Sequence, residues 1–309
     1  MQNKDIRIIF MGTPEFAVPS LEILVNNGYN VVAVITTPDK PAGRGLQLTH
    51  SPVKEAAIKH NIPVLQPEKL KDESFIQELI ALKADLQVVV AFRMLPEIVW
   101  NMPPKGTFNL HASLLPQYRG AAPINWAIMN GETKTGATTF FLQHEIDTGD
   151  IIDFIEEPIY EEDNIGSLYE RLMNNGAELV LKTVNSIANG DVKTIPQITE
   201  NVDLKAAPKI FKEHCQLDWN LTAIQIHNKV RGLSPYPAAF CKLNNKNCKV
   251  FATQVVDVEL TNAFETDQKT FLHVKTSLGT ISILELQLEG KKRIKIDEFL
   301  RGTNIMSVE

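Results

Sequence analysis

The sequence predicts an α/β protein: a Rossmann-like, doubly wound, mostly parallel sheet followed by a small β-barrel. Three observations predict it. The chain opens on an apolar run, Ile6 to Met11, that ends at Gly12; a helix pattern from Phe16 to Asn27 stops at Gly28, and a second apolar run follows from Val31 to Ile35. A β-α-β start of this kind implies parallel strands and a right-handed crossover. Leu86 to Phe92 is a continuous apolar run, as expected of a strand buried on both faces. Beyond residue 208 the texture changes to short β-rich runs separated by polar turns, the pattern of a small antiparallel barrel, with the oligonucleotide-binding kind as one option.

Between these landmarks the spacing predicts helices over 53–60, 72–82, 96–101 and 123–130, and strands over 63–66, 106–110, 137–142 and 151–159. From 166 to 189 the apolar residues Leu168, Leu172, Leu179, Val180 and Val184 form one stripe of a long helix. The pattern breaks at Gly190-Asp191, and 190–208 reads as a polar interdomain linker. A helix at 221–231 and strands at 238–243, 248–259, 271–276 and 280–288 complete the chain. The expected organisation is one domain over 1–189, a linker over 190–208 and a second domain over 209–309.

Composition narrows the class. The 309 residues are 44% hydrophobic and 22% charged, ordinary for a globular protein. No apolar run approaches the roughly 20 residues of a membrane span, and the start Met1-Gln2-Asn3-Lys4-Asp5 has no signal-peptide pattern. The expectation is a cytoplasmic protein with no membrane partner. Cys215, Cys241 and Cys248 are odd in number and lack metal-ligand spacing, so they read as packing thiols with no metal site. The net charge of -6 argues against a nucleic-acid partner in bulk, yet it is uneven. Residues 204–309 carry +4 and the first 203 carry -10, which fits a local polyanion-binding face on the C-terminal part.

The first βα turn, Met11-Gly12-Thr13-Pro14-Glu15-Phe16-Ala17, lacks the glycine spacing of a dinucleotide site, and no phosphate-binding G-x-x-x-x-G-K-[ST] loop occurs. Residues 37–50 form a long segment whose two prolines and two glycines predict irregular structure. Lys40 and Arg44 in it are candidates for binding phosphates. Val90 to Pro96 sits where a central strand ends, the usual ligand edge of an open α/β sheet, and Met94 and Leu95 there are candidates for an apolar slot. His50, His60, His144, His214, His227 and His273 read as structural. His111 differs. Asn109 lies two residues before it, on the same face if 106–110 is a strand. An amide and an imidazole so placed can stabilise a carbonyl oxygen that becomes anionic during acyl transfer, and a nearby carboxylate can orient the imidazole or take a proton. The segment Asp147-Thr148-Gly149-Asp150 offers two such carboxylates, and spacing alone does not separate them.

Taken together, these motifs resemble the folate-dependent formyltransferase family. The resemblance rests on Asn109-x-His111 with Asp147, on Met11 to Ala17, Pro41 to Gly45, Ser51 to Lys54, Ser113 to Ile124 and Asp147 to Asp150. In the second domain it rests on Leu217-Asp218-Trp219 and Arg231 to Pro237. It implies a formyltransferase fold with an OB-like, tRNA-binding C-terminal domain, and Asn109, His111 and Asp147 as catalytic residues. It also implies 10-formyltetrahydrofolate as formyl donor, contacted by Phe92, Met94, Leu95, Ser113, Leu114, Leu115 and Pro116. The acceptor implied is the α-amine of methionine on initiator tRNA, with Lys40 and Arg44 entering the acceptor arm. Nothing in this reaction demands more than a monomer or a metal ion. One departure stands at Phe92 to Pro96, where many relatives have a tyrosine, a glycine and one more residue. The rival activities are formylation of an amino sugar nucleotide or of glycinamide ribonucleotide; the second lacks a use for 209–309. A rival of another class is a non-catalytic RNA-binding protein with a degenerate first domain.

Overall fold

Strands that are apolar on both faces must be covered on both faces, and helices supply the cover. In the computed structural model, which describes residues 4–42 and 47–309, the order is β1 (Arg7–Gly12), α1 (Val18–Asn26), β2 (Asn30–Ile35), α2 (Pro52–Lys59), β3 (Val64–Leu65), α3 (Glu73–Leu82) and β4 (Leu86–Val90). There follow α4 (Glu97–Trp100), β5 (Thr107–His111), α5 (Pro123–Met129), β6 (Lys134–Phe141), β7 (Ile151–Pro158) and α6 (Ile165–Asn189). The seven strands form one sheet in the order β7-β6-β5-β4-β1-β2-β3. Strands β1 to β5 pair in parallel, and β6 runs antiparallel to β5. The side chains of Phe10, Phe108 and Phe140 are fully buried, and one core cluster joins Ile9, Met11, Ile35 and Val89 of the sheet to Phe75, Ile76 and Leu79 of α3. The expected doubly wound domain is therefore present.

By internal contacts the chain divides into two compact units. One holds residues 1–119, 136–157 and 170–206; the other holds 120–135, 158–169 and 207–309. The polar stretch after α6 is held on the first unit: Ile151 and Ile195 exchange two backbone hydrogen bonds of 2.8 Å.

In the second unit, α7 (Ala223–Leu233) starts with a reciprocal cap, since the Gln225 N–H donates to Thr222 Oγ1 and the Thr222 N–H to Gln225 Oε1. Asn125 of α5 donates to Gly232 O of α7 at 2.8 Å. The strands are β8 (Ala239–Leu243), β9 (Lys246–Val256), β10 (Phe264–Thr266), β11 (Leu272–Lys275), β12 (Thr280–Leu288) and β13 (Ile294–Lys295), with α8 (Ile296–Leu300) following. They form a six-stranded antiparallel sheet in the open order β8-β9-β12-β11-β10, with β13 on β12. Among the described residues no pairing closes it into the expected barrel. Ile226, Val230 and Leu233 of α7 share a core with Val250, Ile281, Ile283 and Leu286. Cys241 lies opposite Cys248, and all three cysteines are buried and free.

The segment 37–50 corrects the expectation of irregular structure. Lys40–Ala42 pairs antiparallel with Gln47–Thr49. A two-stranded ribbon has two free edges, so Pro41, which has no N–H to donate, is tolerated. The base of this hairpin is pinned by Asp39, which accepts from Lys54 Nζ at 2.5 Å and from Gln66 Nε2 at 2.8 Å and lies 3.1 Å from His50 Nδ1.

Two expectations follow. A Cβ on Gly136 would lie 2.0 Å from the Ile155 carbonyl oxygen and 2.6 Å from Leu114 Cδ2. The first neighbour is backbone and cannot step aside, so Gly136→Ala is expected to destabilise the fold by about 3 kcal/mol; an unchanged urea midpoint would refute this packing. The Lys54 ammonium and the Gln66 amide hold the Asp39 carboxyl down to about 2. A depressed carboxyl contributes fully above its unfolded value and loses that contribution as pH falls through the folded one. The side-chain carboxyl carbon resonance of Asp39 is expected to keep its ionised position down to about pH 4 and to move to the protonated position only below that, and Lys54→Met is expected to raise that transition.

Candidate active site at the end of the fifth strand

Parallel strands all end on one edge, and ligands bind there because loops of opposite departure open a crevice. Strand β5 occupies the end of the parallel set, with the antiparallel β6 beyond it. Its last residues carry Asn109 and His111 on one face. The Asn109 side chain is half-buried, and its carboxamide has no hydrogen-bond partner among the described residues. Two N–H donors and a carbonyl are thus left uncommitted at the strand end.

His111 is held differently. It is 6% exposed, and its Nε2 lies 2.8 Å from the Tyr118 carbonyl oxygen. A carbonyl only accepts, so Nε2 carries the hydrogen. A neutral ring then presents a lone pair at Nδ1, and that atom lies 3.9 Å from Asp147 Oδ2. The structure therefore separates the two carboxylates that spacing did not. Asp147 faces the imidazole, whereas Asp150 contributes its backbone carbonyl to the Phe141 N–H at 3.1 Å.

The turn bearing Asp147 is held from two sides. Asp147 itself has a left-handed backbone, φ 55°. Gly149 packs so close to β6 that a Cβ there would lie 1.7 Å from the Phe141 carbonyl oxygen. Opposite, Gln197 Nε2 donates to the carbonyls of Asp147 at 2.9 Å and Gly149 at 2.8 Å. Gln197 Oε1 in turn accepts from Arg119 Nη2 at 2.6 Å and Nε at 3.1 Å. Sequence reasoning gave Gln197 no role, because one glutamine in a polar stretch carries no signal. Arg119 was visible only as part of the resembling motif, and the Tyr118 contribution is a backbone atom, which no side-chain pattern marks.

The residues expected in the folate slot are placed in different settings. Phe92 is half-buried beneath the Arg93 guanidinium, 5.6 Å from its ring, and Met94 is 71% exposed. Leu95 turns into the core beside Ile35, Leu70 and Val99. Ser113 is fully buried, and its hydroxyl donates to Gln117 O at 2.6 Å. Leu114 and Pro116 are half-buried and Leu115 is buried. Thr138 Oγ1 ties this turn down, donating to Ser113 O at 2.7 Å and accepting from the Leu115 N–H at 3.2 Å. Lys40 is exposed on its hairpin, and Arg44 lies outside the described residues. Among the described residues no group of three or more His, Cys, Asp or Glu is placed to hold a metal ion, and no helix is long and apolar enough to cross a membrane.

Comparison with known proteins agrees with this architecture. The profile of formyl transferase matches residues 6–184, and that of the formyl transferase C-terminal domain matches residues 209–304. A methionyl-tRNA formyltransferase of Bacteroides fragilis is 55% identical over 99% of this chain and 97% of its own length. One from Flavobacterium johnsoniae is 52% identical over 96% of each. Among solved structures, WlaRD, a sugar 3N-formyl transferase crystallised in the presence of dTDP and 5-N-formyl-THF, superposes with a TM-score of 0.68 at 22% identity, covering 93% of this chain and 99% of that one. That likeness shows a shared fold, and the matches over both units identify the lineage: the chain belongs to the formyl transferase family.

Proposed function

We infer that this protein transfers the formyl group of 10-formyltetrahydrofolate to the α-amine of methionyl initiator tRNA. The observation that carries the chemistry is the set at the end of β5: an uncommitted Asn109 amide, a His111 ring with its lone pair at Nδ1, and Asp147 3.9 Å away. The acceptor is supported by the near full-length likeness to methionyl-tRNA formyltransferases. Phe92, Met94 and Leu114 offer apolar surface for a flat ring at the same edge, which fits the folate. When bound, 10-formyltetrahydrofolate supplies an acyl carbon already attached to nitrogen.

Each residue then has a task. An amine attacks only when neutral. His111 Nδ1 accepts the amine proton, since its Nε2 hydrogen is committed to Tyr118 O. The imidazolium so formed faces the Asp147 carboxylate, which stabilises it and holds its orientation. Asn109 donates to the oxygen that gains charge as the amine adds. His111 returns its proton to the departing nitrogen, a poor leaving group without one. Lys40 and Arg44 are assigned to the phosphates of the acceptor arm, with the C-terminal stretch from residue 204 on, which is net basic, binding the rest of the tRNA. Every residue given a role lies in one chain, so a monomer suffices, and the reaction belongs in the cytoplasm, where tRNA is charged.

The decisive experiment follows labelled formyl from 10-formyltetrahydrofolate to methionine-charged initiator tRNA, charged elongator tRNA and an amino sugar nucleotide. Transfer to the initiator tRNA alone is expected. Transfer to the sugar alone would overturn the acceptor, and no transfer to any would overturn the chemistry. Asn109→Ala is expected to lower kcat about 100-fold with an unchanged thermal midpoint, the usual cost of one lost oxyanion donor; near-normal turnover would remove Asn109 from its role. Lys40→Ala is expected to raise KM for the tRNA several-fold while leaving KM for the folate unchanged. An equal rise in both would take Lys40 out of tRNA recognition.

A further inference from the structure

Two side chains, Arg119 and Gln197, form one chain of hydrogen bonds that ends on the Asp147 turn. Arg119 directs Nε and Nη2 at a single oxygen, Gln197 Oε1. A side-chain amide has one acceptor end and one donor end. Fixing the oxygen toward Arg119 therefore fixes Nε2 toward the turn. There both amide hydrogens are used, one on the Asp147 carbonyl at 2.9 Å and one on the Gly149 carbonyl at 2.8 Å. With both carbonyls satisfied by the same nitrogen, the three residues from Asp147 to Gly149 are closed into a loop around it. Residues on either side of Gln197 are exposed, while Gln197 itself is half-buried.

This matters because Asp147 sits at φ 55°, a left-handed conformation that is strained for an L-residue and persists when its surroundings hold it. The Gly149 contact with Phe141 fixes the turn where it meets β6, and the Gln197 bonds fix the Asp147 and Gly149 carbonyls. A pivot of about an ångström would carry the Asp147 carboxylate off the His111 Nδ1 edge. Placement errors of this size are enough to cost rate in an otherwise intact site.

We infer that Gln197, oriented by Arg119, is a positioning residue for the formyl transfer: it fixes the Asp147 turn so that the carboxylate faces His111. The inference rests on the catalytic reading of Asp147 given above. It assigns a role in the reaction to the stretch that the sequence presents as a linker. Gln197 touches no reacting atom in this scheme and acts only through Asp147.

A double-mutant cycle on the full chain tests it. Gln197→Glu keeps the size and the Arg119 contact but turns an oxygen toward two carbonyl oxygens; Gln197→Met keeps the length and removes the donors without adding charge. Both are expected to lower kcat at least 10-fold, with KM for charged initiator tRNA within 2-fold of wild type and thermal midpoints within a few degrees. In an Asp147→Asn background the same changes are expected to lower kcat less than 2-fold, because the carboxylate they position is gone. Equal losses in both backgrounds would mean a general structural role and overturn the inference. So would a Gln197→Met variant with wild-type kcat. Failure of the underlying reading would look different: wild type itself would give no formyl transfer, or Asp147→Asn alone would leave kcat unchanged.

Discussion

The hydrogen bond from His111 Nε2 to the Tyr118 carbonyl decides the chemistry of the site. It commits one ring nitrogen as a donor and so leaves the other as the only atom that can take a proton. That carbonyl has to be held in place for the choice to be firm, and the chain beyond α6 does this. The Tyr118 N–H donates to Lys205 O at 2.7 Å, Lys205 N–H donates to Gln117 Oε1 at 2.9 Å, and Gln117 Nε2 donates to Asp203 O at 3.0 Å. Tyr118 is buried with φ 59°, a conformation the surrounding bonds maintain. The tautomer of one histidine is thus set by contacts to residues almost ninety positions away in sequence.

The same stretch frames both sides of the reacting groups. Residues 203–205 fix the turn that faces Nε2, and Gln197 fixes the turn that faces Nδ1. The side chains expected to meet substrates are left correspondingly less committed. The Asn109 carboxamide makes no hydrogen bond among the described residues, and Met94 is largely exposed. An active site of this kind keeps its rigidity in backbone carbonyls and its supporting shell, and its freedom in the groups that bind.

The parts legible in the sequence are those written in local pattern. The β-α-β start, the apolar run at 86–92 and the long helix over 165–189 follow from periodicity, and each is present within one or two residues of its expected bounds. Asn109 and His111 were visible because strand alternation puts both on one face. What was not legible depends on distant backbone. The Tyr118 and Asp147 carbonyls have no residue-type signature, and Gln197 resembles any surface glutamine. Leu95 and Met94 are adjacent and equally apolar, yet one enters the core and the other solvent, a division set by how the chain leaves β4. The hairpin at Lys40–Thr49 was hidden because its prolines and glycines forbid a central strand but not a free ribbon. The strands Phe264–Thr266 and Ile294–Lys295 are too short to show alternation.

The 3.9 Å between His111 Nδ1 and Asp147 Oδ2 is itself informative. With the hydrogen on Nε2, a neutral ring and a carboxylate would present two acceptors to each other, and direct contact would be repulsive. Separation beyond hydrogen-bond length is what that tautomer requires. Once Nδ1 gains a proton the pair becomes donor and acceptor of opposite charge, and the attraction favours closure. The arrangement is therefore open to a proton before transfer and stabilising after it, which is the order a general base needs. A closer carboxylate would have favoured the Nδ1–H tautomer and set it against the Tyr118 carbonyl. In the proposed mechanism Asp147 serves the reaction by standing slightly back, and the turn that bears it is held by Gly149 on Phe141 and by Gln197 on its carbonyls.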